Sequence, residues 1–281
     1  MEVRAKKALG QHFLTDLSIA QRIADSLLVP CPSGLADGIT PMPTLEVGPG
    51  MGVLTQYLLQ RPEVDLRMVE IDTESVDYLL VHFPQVNGRL IEADFLKLKL
   101  ETFFSDKFCV IGNFPYNISS QIFFKILDYK EQIPQVVCMI QKEVADRICA
   151  KAGTRDYGAF TVFIQYYARP ELLFTVDKEC FIPQPKVQSA VVRLNILQSP
   201  AVSPKSEELF FRVVKASFAQ RRKQLVNSLY SAFKSELEKE SIIEILSSLG
   251  HKPTIRGEEL TIEDFCALSD VIYSKVQNIK F

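Results

Sequence analysis

Asn113, Pro115 and Tyr116 stand within Gly112-Asn113-Phe114-Pro115-Tyr116-Asn117-Ile118-Ser119, a run of the form N-x-P-Y that follows an apolar segment. An amide oxygen and a main-chain carbonyl two residues on are two acceptors that can hold both protons of a primary amine. The proline fixes the direction of its carbonyl and is expected to leave it free of a competing turn amide. The amine of adenine is a weak nucleophile because its lone pair is delocalised into the ring. Two acceptors favour the tetrahedral nitrogen and aim it at an electrophile. The Tyr116 ring offers a face on which a purine taken out of its helix can stack, a contact worth roughly 1–3 kcal/mol. No strong base is needed, since the nitrogen's proton becomes acidic once transfer has begun. The same octet also reads as a strand-to-helix turn with Asn117 or Ser119 as cap and Tyr116 in a core.

A second aromatic, Phe181, opens the segment Phe181-Ile182-Pro183-Gln184-Pro185-Lys186-Val187-Gln188-Ser189, whose alternating prolines keep it extended. Phe181 either packs in the core or closes the other face of a purine resting on Tyr116. The group to be transferred needs a pocket of its own. Thr44-Leu45-Glu46-Val47 runs into Gly48-Pro49-Gly50-Met51-Gly52, a strand followed by a glycine turn that lets backbone come close to a ligand. A dinucleotide or S-adenosyl-L-methionine would suit such a turn. The glycine spacing is tighter than G-x-G-x-x-G, and Pro49 lacks the amide that a pyrophosphate would use, so S-adenosyl-L-methionine is favoured, with Gly48 and Gly50 against it. The next strand ends at Glu70 and Asp72, where a carboxylate can accept two ribose hydroxyls, and Glu70 is the choice. The third ends at Asp94, placed to accept from an adenine amino group with Phe95 packed nearby, although a lone acid at a strand end also serves as a turn or cap residue.

These tips can converge only if the strands are parallel and neighbouring. Residues 44–47, 65–72, 89–93, 108–112, 135–140 and 190–194 read as strands, mostly separated by helical segments, beginning with a βαβ unit. An α/β fold with a Rossmann-like, doubly wound parallel sheet follows, of the class I methyltransferase kind, its ligands at the carboxyl edge. Gln198-Ser199-Pro200-Ala201-Val202-Ser203-Pro204 reads as a linker, which divides the chain into 1–200 and a smaller all-α domain, 201–281. Helices are expected over 207–219, 223–233 and 241–249, and Thr261 as the cap of a last one.

In 281 residues, 32 basic and 34 acidic side chains nearly cancel, leaving a formal charge of −2, so any nucleic acid must meet a local positive field. Between Arg212 and Lys223 stand Arg212, Lys215, Arg221, Arg222 and Lys223 with no acid among them. Arg147, Lys151, Arg155 and the pair Lys6-Lys7 extend the candidates; an exposed, solvated helix end is the alternative. Structured RNA is recognised largely by shape and backbone, which suits such a track. Six cysteines without a C-x-x-C pair point to a reducing compartment, and three scattered histidines to no metal site. The start lacks an apolar signal core and no apolar run reaches spanning length, so a cytoplasmic protein without membrane contact is expected.

Taken with Leu9-Gly10-Gln11-His12-Phe13-Leu14 and Phe218-Ala219-Gln220-Arg221-Arg222-Lys223-Gln224-Leu225-Val226-Asn227-Ser228-Leu229, these motifs resemble the KsgA family of small-subunit ribosomal RNA adenine dimethyltransferases over nearly the whole chain. Most are shared with the enzymes that methylate large-subunit rRNA; Q-R-R-K followed by N-S-L is typical of the KsgA branch. The resemblance implies dimethylation of two adjacent adenosines in the loop of the 3′-terminal hairpin of 16S rRNA, within the immature 30S subunit, by a protein expected to be monomeric. It places cofactor contacts on His12, Leu14, Gly48, Glu70, Asp94 and Asn113, and the adenine pocket on Asn113, Pro115, Tyr116 and Phe181. His12 stands where the family commonly has Asn, and Phe114 where it has Leu.

Overall fold

The computed structural model describes residues 3–28, 40–220 and 223–279. In chain order its elements are β1 (Phe13–Leu14), α1 (Leu17–Asp25), β2 (Met42–Val47), α2 (Thr55–Leu58), β3 (Val64–Glu70), α3 (Thr73–His82), β4 (Leu90–Glu92), β5 (Cys109–Asn113), α4 (Ser119–Asp128), β6 (Gln135–Gln141), α5 (Lys142–Ile148), α6 (Ala159–Tyr167), β7 (Ala168–Val176), β8 (Phe181–Ile182), β9 (Ser189–Ile196), α7 (Glu207–Phe218), α8 (Leu225–Phe233), α9 (Lys239–Ser248) and α10 (Ile262–Ile279).

Seven strands form one sheet in the order β4-β3-β2-β5-β6-β9-β7, and β1 pairs separately with β8. β2 lies parallel to both β3 and β5, β3 to β4, and β5 to β6. The winding therefore reverses between β2 and β5, and the crevice at the carboxyl ends of these strands is the usual ligand position of such sheets. β5 and β6 are apolar runs buried almost throughout, as strands covered on both faces must be. Gly112 is dictated by this packing, since a Cβ there would lie 2.4 Å from the Val47 carbonyl oxygen. No side chain larger than hydrogen lets the tips of β2 and β5 come so close, one residue before Asn113.

Two features differ from the expected all-parallel sheet. The segment 190–194 is a strand, but β9 runs antiparallel to β6, with Ser189 opposite Gln141 and Asn195 opposite Gln135. A parallel return requires a crossover helix, and no α-helix lies between β7 and β9. β7, the other unexpected strand, is an edge strand in which only Ala168 and Val176, its two end residues, are buried, and Pro170 stands near its start, which an edge tolerates.

The chain forms two compact units, Met1–Ala145 with Arg169–Gln198, and Asp146–Ala168 with Ser199–Phe281. The division near residue 198 lies close to the expected linker, but residues 146–168 belong with the helices, so the first unit is not an unbroken 1–200. Packing explains the excursion: Tyr157, Val162 and Tyr166 are buried in one cluster with Phe210, Val214 and Phe265. The Ala201 N–H also donates to the Tyr166 carbonyl at 2.8 Å. The second unit is helical. Its α7 starts on Ser206, whose hydroxyl accepts from the Leu209 N–H at 3.2 Å, and α10 on Thr261, which exchanges hydrogen bonds with Asp264.

Candidate active site

The carboxyl ends of β2, β3 and β5 open onto a cavity of about 290 Å³. Every expected site residue of the first unit lines it except Phe181: His12, Leu14, Gly48, Gly50, Glu70, Asp94, Asn113, Pro115 and Tyr116. Gly48 and Gly50 have φ of +69° and +55°, so the turn after β2 bends through conformations that side chains resist. Glu70, buried at the end of β3, clamps that turn. Its Oε2 accepts from the Gly50 N–H at 3.0 Å, and its Oε1 from Ile71 and Asp72 at 2.8 and 2.9 Å. Burial raises its pKa above the usual carboxylate range in spite of those three amides.

Glu46, in the motif but given no role by sequence reasoning, is 1% exposed and also lines the cavity. Its Oε2 accepts from the Thr55 hydroxyl at 2.7 Å, while Oε1 has no partner. Burial, aided by neighbouring Glu70, pushes its pKa up to about 8. Asp72, the other carboxylate of the β3 tip, is engaged by Lys6 Nζ, by Gln11 Nε2 at 3.2 Å and by Ser75 Oγ at 3.0 Å. It fixes the N-terminal segment. Lys6 is thereby paired with Asp72 and, at 3.1 Å, with Glu74, which removes it from the set of candidate phosphate contacts. At the third tip Asp94 Oδ1 accepts from the Leu96 N–H at 2.9 Å and Oδ2 lies 3.5 Å from Lys97.

On the acceptor side, Asn113 Nδ2 donates to the His12 carbonyl at 3.0 Å, which turns the amide and leaves Oδ1 as its acceptor. The Pro115 carbonyl is not free of a local amide as expected: the Ile118 N–H donates to it at 3.2 Å, closing a turn. A carbonyl has two lone pairs, so one acceptor position is left. Tyr116 is half-buried, its hydroxyl bonded to Ser189 Oγ, and burial keeps the phenol above its ordinary pKa and so neutral. The ring stacked with Tyr116 is His12, with centroids 5.3 Å apart and planes 23° from parallel. His12 Nδ1 is held by the Pro183 carbonyl at 2.7 Å. Phe181 does not form the expected sandwich. It pairs with Leu14 across β1 and β8 and is 2% exposed, packed with Ile23, Val176 and Val191. Phe114, also buried, sets its edge against Phe123.

A family model described as Ribosomal RNA adenine dimethylase matches residues 2–272. The chain belongs to that family. It is 50% identical to the Ribosomal RNA small subunit methyltransferase A of Parabacteroides distasonis over 95% of this chain and 93% of the relative. Among solved structures, a dimethyladenosine transferase from Plasmodium falciparum superposes with a TM-score of 0.75 at 22% identity, covering 94% of this chain and 98% of that one. The 23S rRNA methyltransferase ErmE does so with a TM-score of 0.68 at 25% identity, covering 93% and 99%. The chain is thus an rRNA adenine dimethylase with a Rossmann-like methyltransferase sheet.

For such a dimethylase the basic residues of the helical unit matter. Arg221 and Arg222 lie outside the described residues. Lys223, Lys151, Arg147 and Lys215 are exposed. The loop of Lys151 and the start of α8 both join the turn at 255–258, through Gly153 N–H to Glu258 O at 2.7 Å and Leu225 N–H to Ile255 O at 2.8 Å. Lys151 and Lys223 therefore share one end of the unit. Arg212 differs from its expected role: its guanidinium forms two bonds with Glu236, at 2.8 and 3.0 Å, and lies over the Phe233 ring, so an acid absent from its own segment neutralises it. Among the described residues no cluster of His, Cys, Asp and Glu is placed to hold a metal, and no helix is long and apolar enough to cross a membrane.

Proposed function

We propose that the cavity binds S-adenosyl-L-methionine and that this dimethylase transfers its methyl groups to N6 of two adjacent adenosines in the loop of the 3′-terminal hairpin of 16S rRNA. The observation that carries this is the Asn113 amide, whose nitrogen is held by the His12 carbonyl so that its oxygen is left as acceptor, in a cavity lined by Asn113 and Pro115 together with the glycine turn, Glu70 and Asp94. The residues fit the cofactor: Glu70 at the ribose position, Asp94 at the adenine end, and the partnerless Glu46 Oε1 available to a polar group of the ligand. When bound, the cofactor supplies an electrophilic methyl carbon on a sulfonium. Asn113 Oδ1 and Pro115 O would accept hydrogen bonds from the two N6–H groups in the first transfer, and from the one that remains in the second, directing the nitrogen lone pair at that carbon; Tyr116 would stack the base. The bound cofactor would give its methyl group to N6 and depart as S-adenosylhomocysteine, and the proton lost from the nitrogen would pass to water.

The small-subunit substrate is favoured over large-subunit rRNA by the 50% identity to a small-subunit enzyme, against 25% to ErmE. The reading extends to a cytoplasmic monomer acting on the immature 30S subunit, with Lys151, Lys223, Arg147, Arg221 and Arg222 on the rRNA backbone. The test incubates labelled S-adenosyl-L-methionine with small subunits from cells lacking the enzyme and maps the modified base after nuclease digestion. The natural chain should yield dimethyladenosine at two adjacent positions. Asn113→Ala should lower the rate by about 10²–10³, the usual cost of removing one transition-state hydrogen bond, with rRNA affinity retained. Full methylation by Asn113→Ala would refute the assignment.

A further inference from the structure

The cofactor end of the cavity is joined to the acceptor end by a single helix. α4 starts directly after the Asn113–Ile118 segment and carries Lys125 near its end. Residues Asp94 to Leu98 form one helical turn, with the N–H groups of Lys97 and Leu98 donating to the Asp94 carbonyl at 3.0 and 3.1 Å and the Asp94 side chain capping Leu96. The next helical turn begins only at Leu100, beyond the reach of its last carbonyls. Lys125 Nζ does so instead, donating to Leu96 O at 3.1 Å and Leu98 O at 2.5 Å, and lies 5.6 Å from the centre of the Phe95 ring. A cation at the carbonyl end of a helical turn also meets its favourable dipole. Four residues on, the Tyr129 hydroxyl accepts from the Leu100 N–H at 3.3 Å and donates to Glu101, gripping the same connection between β4 and β5. Asp94, Phe95 and Leu96 line the cavity.

We infer that Lys125 is a positioning residue for cofactor selectivity: by tying the Asp94–Leu98 turn to α4, it holds the Asp94 carboxylate where it reads the purine amino group. The inference rests on the cofactor reading above. Without the ammonium, the turn keeps its internal bonds but loses its anchor to the helix, and Asp94 loses a fixed position more than the cavity loses its shape. The effect therefore falls on the amino group that Asp94 recognises, and the Glu70 and glycine-turn contacts are spared.

The test is calorimetry on the full chain with S-adenosylhomocysteine and with its inosine counterpart, in which an oxo group replaces the purine amine. The natural chain should prefer the adenosine compound. Lys125→Met, which keeps the stem, should weaken that compound about tenfold, ~1.4 kcal/mol, and the inosine compound less than twofold, so that the preference collapses; Lys125→Arg should restore most of it. Equal weakening of both ligands accompanied by a lower Tm, or no change in either, overturns the inference. If Lys125→Met does not fold, Lys125→Gln gives the same comparison. Failure of the natural chain to bind the adenosine compound overturns the cofactor reading instead.

Discussion

Glu46 makes the stability of the sheet unit depend on pH in a direction opposite to that of most carboxylates. Its side chain is buried with one oxygen partnerless, and its pKa is pushed from 4.5 up to about 8. The folded protein therefore holds a proton on Glu46 that the unfolded chain releases above pH 4.5. Between these two values folding takes up a proton, so each unit of rising pH lowers the unfolding free energy by about 1.4 kcal/mol. Below pH 4.5 both states are protonated and the group contributes no slope; above pH 8 both are ionised and the loss is complete, on the order of 5 kcal/mol.

Glu46→Gln imitates the protonated state at every pH, keeping an oxygen for the Thr55 hydroxyl. Its unfolding free energy should match that of the natural chain near pH 4 and exceed it by on the order of 5 kcal/mol at pH 9. The chain has no tryptophan, so urea unfolding is followed by far-ultraviolet circular dichroism at a series of pH values. The difference between the two proteins isolates Glu46 from the other titrating groups. Parallel stability curves from pH 5 to 9 would refute the reasoning and mean that Glu46 is ionised in the folded protein.

Gly112→Ala should destabilise the protein by about 3 kcal/mol, because the sheet cannot move the Val47 carbonyl away from the new methyl group; the urea midpoint reads this. Asp72→Asn removes the charge that holds Lys6, and limited proteolysis at Arg4, Lys6 and Lys7 should become faster while cleavage elsewhere does not. Combining Lys151→Ala with Lys223→Ala should weaken rRNA binding and reduce the slope of log affinity against log salt by about two. Arg212→Ala, which removes a cation already paired with Glu236, should leave that slope unchanged.

The parts of the site legible in the sequence are those that one strand end and its own turn can define. Gly48, Glu70, Asp94 and Asn113 each follow an apolar run, and in a parallel sheet successive carboxyl ends meet without further information. What was not legible depends on partners distant in the chain. Nothing near Arg212 announces Glu236, and nothing near Asp72 announces Lys6. Nor does the local pattern separate a loop phenylalanine that stacks on a base from one that packs: Phe181 is inward because β8 pairs with β1, a contact across more than 160 residues. The 146–168 excursion was hidden for the same reason, since α6 looks equally apolar whichever core receives it.

The antiparallel direction of β9 bears most on the acceptor pocket. If β9 ran parallel to β6, its first residue, Ser189, would lie at the edge of the sheet opposite Asn113. Running antiparallel, it brings Ser189 opposite Gln141, two residues beyond the Met139 that faces Asn113. The amino end of β9 thus arrives at the same edge as the carboxyl ends of β2, β3 and β5, and Ser189 Oγ meets the Tyr116 hydroxyl there. The preceding loop comes with it, which explains how the Pro183 carbonyl reaches His12 and how His12 in turn lies beside Tyr116. The orientation of the ring proposed to stack the base therefore rests on a reversal at the sheet's last strand, and a purine that takes the Tyr116 face stacked with His12 must displace that imidazole.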